Sequence, residues 1–113
     1  MVEEISTDEV AEKVGDESVQ IVDIRNAHQF ASGHIPGAIN IPFQRLPREI
    51  PEHDWGEDIV VACPIGQSSI QAARLIESFE GVSADARVAS MAGGYEEWSE
   101  ELETTESEER SPF

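Results

Sequence analysis

The sequence predicts one α/β domain, a mostly parallel sheet flanked by helices on both faces. Three observations predict it. Short runs with strand character alternate with segments of helical spacing. One run, Ile59-Val60-Val61-Ala62, is apolar throughout, as a strand buried on both faces would be. A chain of 113 residues suffices for one core but not for two.

The elements follow in order. Ser6 to Glu9 is a capping box, S-x-x-E, which opens a helix running to about Val14. Gly15-Asp16 ends it. Gln20-Ile21-Val22-Asp23-Ile24 reads as a short strand, and Ile59 to Ala62 as the buried one. Cys63 then leads into a loop containing Gly66, Ser68 and Ser69, and a helix runs from about Ser68 to Phe79. Its apolar residues Ala72, Leu75, Ile76 and Phe79 fall at i, i+3, i+4 and i+7, which predicts one packed face. Gly81 closes that helix, and Arg87-Val88-Ala89-Ser90 is a further strand. Gly93-Gly94 begins a last helix carrying Tyr95 and Trp98, which pack on the sheet. Right-handed crossovers place the helices on both faces. The domain is expected over 1–102, and 103–113, ETTESEERSPF, as an acidic disordered tail.

Charge excludes some functions. The 24 Asp and Glu outnumber seven Lys and Arg, for a net charge of −17. Such a chain repels phosphates, which argues against nucleic acid as a partner. The acids are spread along the whole sequence, and Lys13 is its sole lysine. That pattern suits a halophilic surface, because in molar salt the Debye length falls to ~3 Å and self-repulsion fades. An acidic docking face for a basic partner is the competing reading. No run of eighteen apolar residues is present, so no membrane span is expected. The start, MVEEISTDEV, lacks the basic and apolar stretches of a secretory signal, and a cytoplasmic location is expected.

Cys63 is the single cysteine, which leaves two readings: a small buried filler or a reactive thiol. Its position between a buried strand and a Ser-containing helix start favours the reactive thiol. Ligand sites of open α/β sheets lie at the carboxyl ends of strands. The loop N–H groups and the helix N-terminus would face the sulfur there and favour a thiolate. Gly66 allows a left-handed turn, and Ser68 and Ser69 offer hydroxyls and can cap the helix. Two chemistries are disfavoured. A cysteine phosphatase needs C-x5-R, a guanidinium placed for bidentate phosphate binding, and Ser69 stands at that position. A dithiol redox enzyme needs a second cysteine. The sulfur must hand its load to another molecule.

Four segments in order carry a specific resemblance: Asp23-Ile24-Arg25, then Gly33-His34-Ile35-Pro36-Gly37-Ala38-Ile39-Asn40-Ile41-Pro42, then the Cys63 loop, then Gly93-Gly94-Tyr95-Glu96-Glu97-Trp98. From about Ile5 to Trp98 the chain resembles single-domain rhodaneses, thiosulfate sulfurtransferases. The resemblance implies a five-stranded parallel sheet with flanking helices, and a Cys63 persulfide as intermediate. The donor would be thiosulfate or another small sulfane-sulfur compound. The acceptor would be cyanide, a thiol or a sulfur-accepting protein. Ile65, Gly66, Gln67, Ser68 and Ser69 would bind the donor and stabilise the persulfide through loop N–H groups; Pro64 has none to give. No cofactor is required. The alternative is a non-catalytic rhodanese-like binding module or a sulfur carrier. The chain departs from many relatives at Ser68, where they carry Arg, and at Gln29 and Phe30, where they carry Glu and Tyr. Gln29 removes an ion-pair partner from Arg25.

Other polar residues receive structural readings. His28, His34 and His53 lack metal-ligand spacing, so no metal is expected. Asp23 and Arg25 read as a buried ion pair. Met91 is placed at the pocket mouth, and Phe43 and Trp55 in the core or at the pocket rim.

Overall fold

The computed structural model describes residues 2–104. Strand β4, Asp58–Ala62, is the centre of the fold. Its side chains alternate between two apolar layers. Ile59 and Val61, followed by Cys63, enter one layer; Val60 and Ala62 enter the other. A strand with no polar face must lie inside a sheet, and β4 does, between β2, Gln20–Asp23, and β5, Arg87–Met91. The full order is β1-β5-β4-β2-β3, with β1 at Glu3–Ile5 and β3 at Ile39–Asn40, and every pairing is parallel. The α/β class and the five-stranded sheet are as expected.

Parallel pairing brings the carboxyl ends of all five strands to one edge. Asp23, Asn40, Ala62 and Met91 end their strands there, and the candidate site grows from that edge. Among the described residues four α-helices, together with short 3-10 turns, accompany the sheet: α1, Thr7–Lys13; α2, Ala27–Ser32; α3, Leu46–Glu49; and α4, Ser68–Glu77. Ser6 caps α1 as its S-x-x-E pattern predicts, accepting the Glu9 N–H at 3.1 Å. Asn26 caps α2 in the same way through the Gln29 N–H, at 2.8 Å.

The structure corrects several expectations. Of the predicted packed face of α4, Ala72 and Ile76 are buried, Phe79 is half-buried and Leu75 is 43% exposed. Ala73 and Ser69 take the inward positions instead, so the buried stripe is made of small residues that let α4 approach the sheet closely. The last helix is a single 3-10 turn, Gly94–Glu97, with Trp98 just beyond it. Met91 does not reach a pocket mouth; it has no exposed surface and fills the second apolar layer. Trp55, in keeping with the core or rim position expected of it, packs on the first layer and donates its indole N–H to Ile50 O at 2.9 Å. Glu103, the first residue of the expected tail, is held to His34 by two backbone hydrogen bonds of 2.8 and 2.9 Å. The remainder of that tail, 105–113, lies outside the described residues.

Candidate functional site

Cys63 follows the last residue of β4 and is fully buried. The chain must turn at once, because α4 begins five residues later. Gly66 makes the turn with φ +88°, and its N–H comes back to the sulfur at 3.0 Å. The Ser69 N–H donates to the same sulfur at 3.3 Å. Ser69 lies in the first turn of α4, where an N–H has no partner inside the helix. In most helices a Ser, Thr, Asp or Asn side chain takes it. Here Cys63 Sγ takes it, which corrects the expectation that Ser68 or Ser69 caps this helix: Gln67 occupies the cap position and makes no side-chain cap bond. The sulfur therefore sits on the positive end of α4.

The Ser69 hydroxyl turns inward, 3.2 Å from Cys63 Sγ and 2.7 Å from Ser90 Oγ. Ser69 and Ser90 are both fully buried. Ser90 is a site neighbour that sequence reasoning missed. Its signal is a lone hydroxyl in the apolar run Val88-Ala89-Ser90-Met91, on the strand beside β4.

The other predicted site residues are placed differently. Among the described residues, the N–H groups of Ile65, Gln67 and Ser68 are not bonded to the sulfur and find no other acceptor. Ile65 is 51% exposed, and Gln67 and Ser68 are exposed. Ser68 lines the hollow above Cys63 with Arg25, Asn26, Gln29, Phe43, Gln44 and Pro64. Three of those side chains are uncharged amides, and Arg25 is the one cation.

Arg25 is already engaged. Its guanidinium donates to Asp23 from Nη2 at 2.8 Å and from Nε at 3.1 and 3.2 Å. The same Nη2 donates to Gly33 O at 2.7 Å. The guanidinium carbon stands 3.6 Å from the centre of the Tyr95 ring. The expected Asp23–Arg25 ion pair is thus present, with Asp23 fully buried, although Gln29 offers Arg25 no charge. Tyr95 adds its own hydroxyl, donating to Asp23 Oδ2 at 2.8 Å while accepting the Ile35 N–H at 3.1 Å. Burial first, and the Asp23 carboxylate second, push the Tyr95 phenol above its usual range.

The loop is clamped from below by the Gly93-Gly94 turn. The Tyr95 N–H donates to Cys63 O at 2.9 Å and the Glu96 N–H to Pro64 O at 3.0 Å. His34 is buried against Phe30, the two rings stacked 3.7 Å apart, with Nδ1 at 2.8 Å from Phe30 O. Among the described residues no cluster of His, Cys, Asp and Glu has the geometry to hold a metal ion. No helix among them is long and apolar enough to cross a membrane.

Comparison with known proteins shows the family and agrees with the fold. Residues 6–101 match the Rhodanese-like domain family. The chain is 35% identical over 98 residues to thiosulfate sulfurtransferase GlpE of Shewanella oneidensis, covering 85% of this chain and 91% of that protein. It is 30% identical over 101 residues to the putative sulfur carrier protein YrkF of Bacillus subtilis, covering 88% of this chain and 52% of that protein. Among solved structures, the rhodanese-like domain protein of Staphylococcus aureus superposes with a TM-score of 0.75 at 28% identity, over 91% of this chain and 98% of that one.

Proposed function

The chain belongs to the rhodanese-like family of sulfurtransferases, and on that premise we propose that it moves sulfane sulfur from thiosulfate or a similar donor through a persulfide on Cys63. The observation that carries the reading is the setting of the sulfur. Cys63 Sγ receives the Gly66 and Ser69 N–H groups at the head of α4, and among the described residues the N–H groups of Ile65, Gln67 and Ser68 have no acceptor and can bond a second anionic atom. A thiolate fits the first pair. A persulfide sulfur or the oxygens of a sulfonate fit the remainder.

The balance of the reaction is simple. The Cys63 thiolate attacks the outer sulfur of thiosulfate. A new S–S bond forms, the old one breaks, and its electron pair leaves on sulfite. Cys63 now carries a persulfide anion. Cyanide or a thiolate then takes the terminal sulfur, and the Cys63 thiolate returns. Neither half consumes a proton or an oxidant. This is covalent nucleophilic catalysis with ping-pong kinetics.

Two features bear on the donor. Among the described residues no free cation lines the hollow, because Arg25 is spent on Asp23 and Gly33. Ser68 also offers a hydroxyl where many relatives have Arg. Thiosulfate would therefore be held by backbone N–H groups and uncharged side chains such as Ser68. The same features favour a second reading, a sulfur carrier that is loaded by and unloaded to protein partners. The relative named as a putative sulfur carrier supports it.

The test uses thiosulfate and cyanide. Intact mass after thiosulfate should rise by one sulfur atom, and thiocyanate should form at a rate that plateaus in both substrates. Cys63→Ser should lose both signals. A protein that loads sulfur but releases none to cyanide, yet gives it to a protein thiol, is a carrier. One that loads no sulfur from any sulfane donor is neither.

A further inference from the structure

The buried side of the sulfur carries an arrangement that sulfur transfer by itself does not require. Cys63 Sγ, Ser69 Oγ and Ser90 Oγ form a chain with links of 3.2 and 2.7 Å. All three residues have no exposed surface. Ser90 reaches this chain from β5, where it pairs in register with Val61. Among the described residues its hydroxyl has no partner except Ser69.

Counting protons gives the chain a direction. Its two links need two protons, and the two serine hydroxyls supply two. A thiol on Cys63 would bring a third. If that thiol donates to Ser69, then Ser69 donates to Ser90, and the Ser90 proton is left buried without an acceptor, which is costly. If the chain runs the other way, the thiol proton must compete with the Gly66 and Ser69 N–H groups already aimed at the sulfur. With a thiolate, every proton is placed. Ser90 donates to Ser69, Ser69 donates to sulfur, and both N–H groups donate to sulfur.

From this we infer that Ser90 is a positioning residue, which orients the Ser69 hydroxyl toward Cys63 and so holds the sulfur as a thiolate. The role serves the persulfide reading, since both half-reactions begin or end on the thiolate. Its test, however, needs no sulfur transfer.

The chain has one cysteine, so the ultraviolet absorbance that a thiolate adds reports Cys63 alone. Its one tyrosine, Tyr95, titrates above the usual phenol range and stays clear of that signal. In Ser90→Ala the midpoint of the absorbance titration should move up by about half a unit to one unit, the value of one lost hydrogen bond. Ser90→Thr keeps a hydroxyl and should restore the wild-type midpoint. Ser69→Ala should shift it at least as far as Ser90→Ala does. The double variant should go no farther than Ser69→Ala, because Ser90 acts only through Ser69. An unmoved midpoint in Ser90→Ala overturns the proposal, and so does a Ser90 effect that persists in the Ser69→Ala background. A measurement on the unaltered protein stands if Ser90→Ala does not fold. The infrared S–H stretch of Cys63 should be absent at neutral pH, and a clear S–H band there overturns the inference.

Discussion

Asp23 has no exposed surface, and its charge is held by donors rather than by water. Arg25 supplies its backbone and guanidinium N–H groups, and Tyr95 supplies its hydroxyl. The Asp23–Arg25 pair is legible in the sequence, because D-x-R on a strand end places both side chains on one side. The Tyr95 contact is not. It spans 72 residues, and nothing in Gly93-Gly94-Tyr95 distinguishes a phenol packed on the sheet from one bonded to a carboxylate. The consequence is alkaline sensitivity. Burial and the neighbouring Asp23 raise the Tyr95 pKa in the folded protein above its unfolded value of ~10. The folded state therefore holds that proton more tightly than the unfolded state. The contribution is complete below pH ~10 and is lost as the pH climbs from there toward the folded value. Urea midpoints should fall above pH ~10 in the wild type. Tyr95→Phe should start lower at neutral pH, by about 1–3 kcal/mol for the lost bonds to Asp23 and Ile35. Its curve should then decline less, so that the two approach each other in alkali. Parallel curves would show that Tyr95 titrates as an ordinary phenol.

The loop after β4 depends on an element distant in sequence, the turn at Gly93-Gly94. Gly94 has φ +61°, and a methyl group there would collide with Cys63 O and come within 2.6 Å of the Ile65 nitrogen. Gly66 faces the same turn, with a built Cβ 2.7 Å from the Gly93 nitrogen. The two backbones interlock where neither tolerates a side chain. Gly94→Ala should cost about 1–3 kcal/mol in conformational strain and displace the Cys63 loop as well. Sulfur loading from thiosulfate should drop by on the order of tenfold or more, as a misplaced reacting group would cause. Gly37→Ala is the control. It has a similar φ of +84° but open space around it, so it should lose stability while loading sulfur normally. Equal loading in both variants would mean the interlock does not hold the site. At this scale the sequence shows the central elements and hides the marginal ones. β4, β2 and the start of α4 are long enough for their apolar patterns to be read. β1 and β3 have three and two residues, too few for any period. The last element, expected as a helix begun by Gly93-Gly94 and carrying Tyr95 and Trp98, ends after four residues at Trp98 in extended backbone. Leu75 sits at a helical core spacing and still faces outward, because α4 buries Ser69, Ala72, Ala73 and Ile76, a stripe rotated toward the sulfur.

The whole molecule carries a charge that its ion pairs do little to relieve. Lys13 meets Asp58 at 3.0 Å, Arg45 meets Glu49 at 2.7 Å, and Arg87 spans Glu3 and Glu9 at 2.9 and 3.1 Å. These pairs are exposed or half-buried, and each contributes at most ~1 kcal/mol. Against them stands a net charge of −17 on 113 residues. Salt acts on both terms with opposite sign. It weakens the few pairs, and it screens a repulsion spread over the whole surface. The second term is larger here, since acids outnumber bases 24 to seven. Unfolding midpoints should therefore rise as KCl goes from ~0.1 M to 1 M, where the Debye length shrinks from ~10 to ~3 Å. Catalysis should respond with the same sign. If thiosulfate is the donor, as proposed, a dianion must approach an acidic protein through a hollow whose one guanidinium among the described residues is already paired. The kcat/KM for thiosulfate should increase with salt, on the order of several-fold to tenfold, because screening removes the repulsion that slows encounter. An uncharged sulfane donor should show no such rise, which separates steering from a general effect of salt on the fold. A stability that is flat or falling in KCl would set aside salt adaptation. The acid excess would then be better read as a face for a basic partner, whose affinity salt should weaken rather than strengthen.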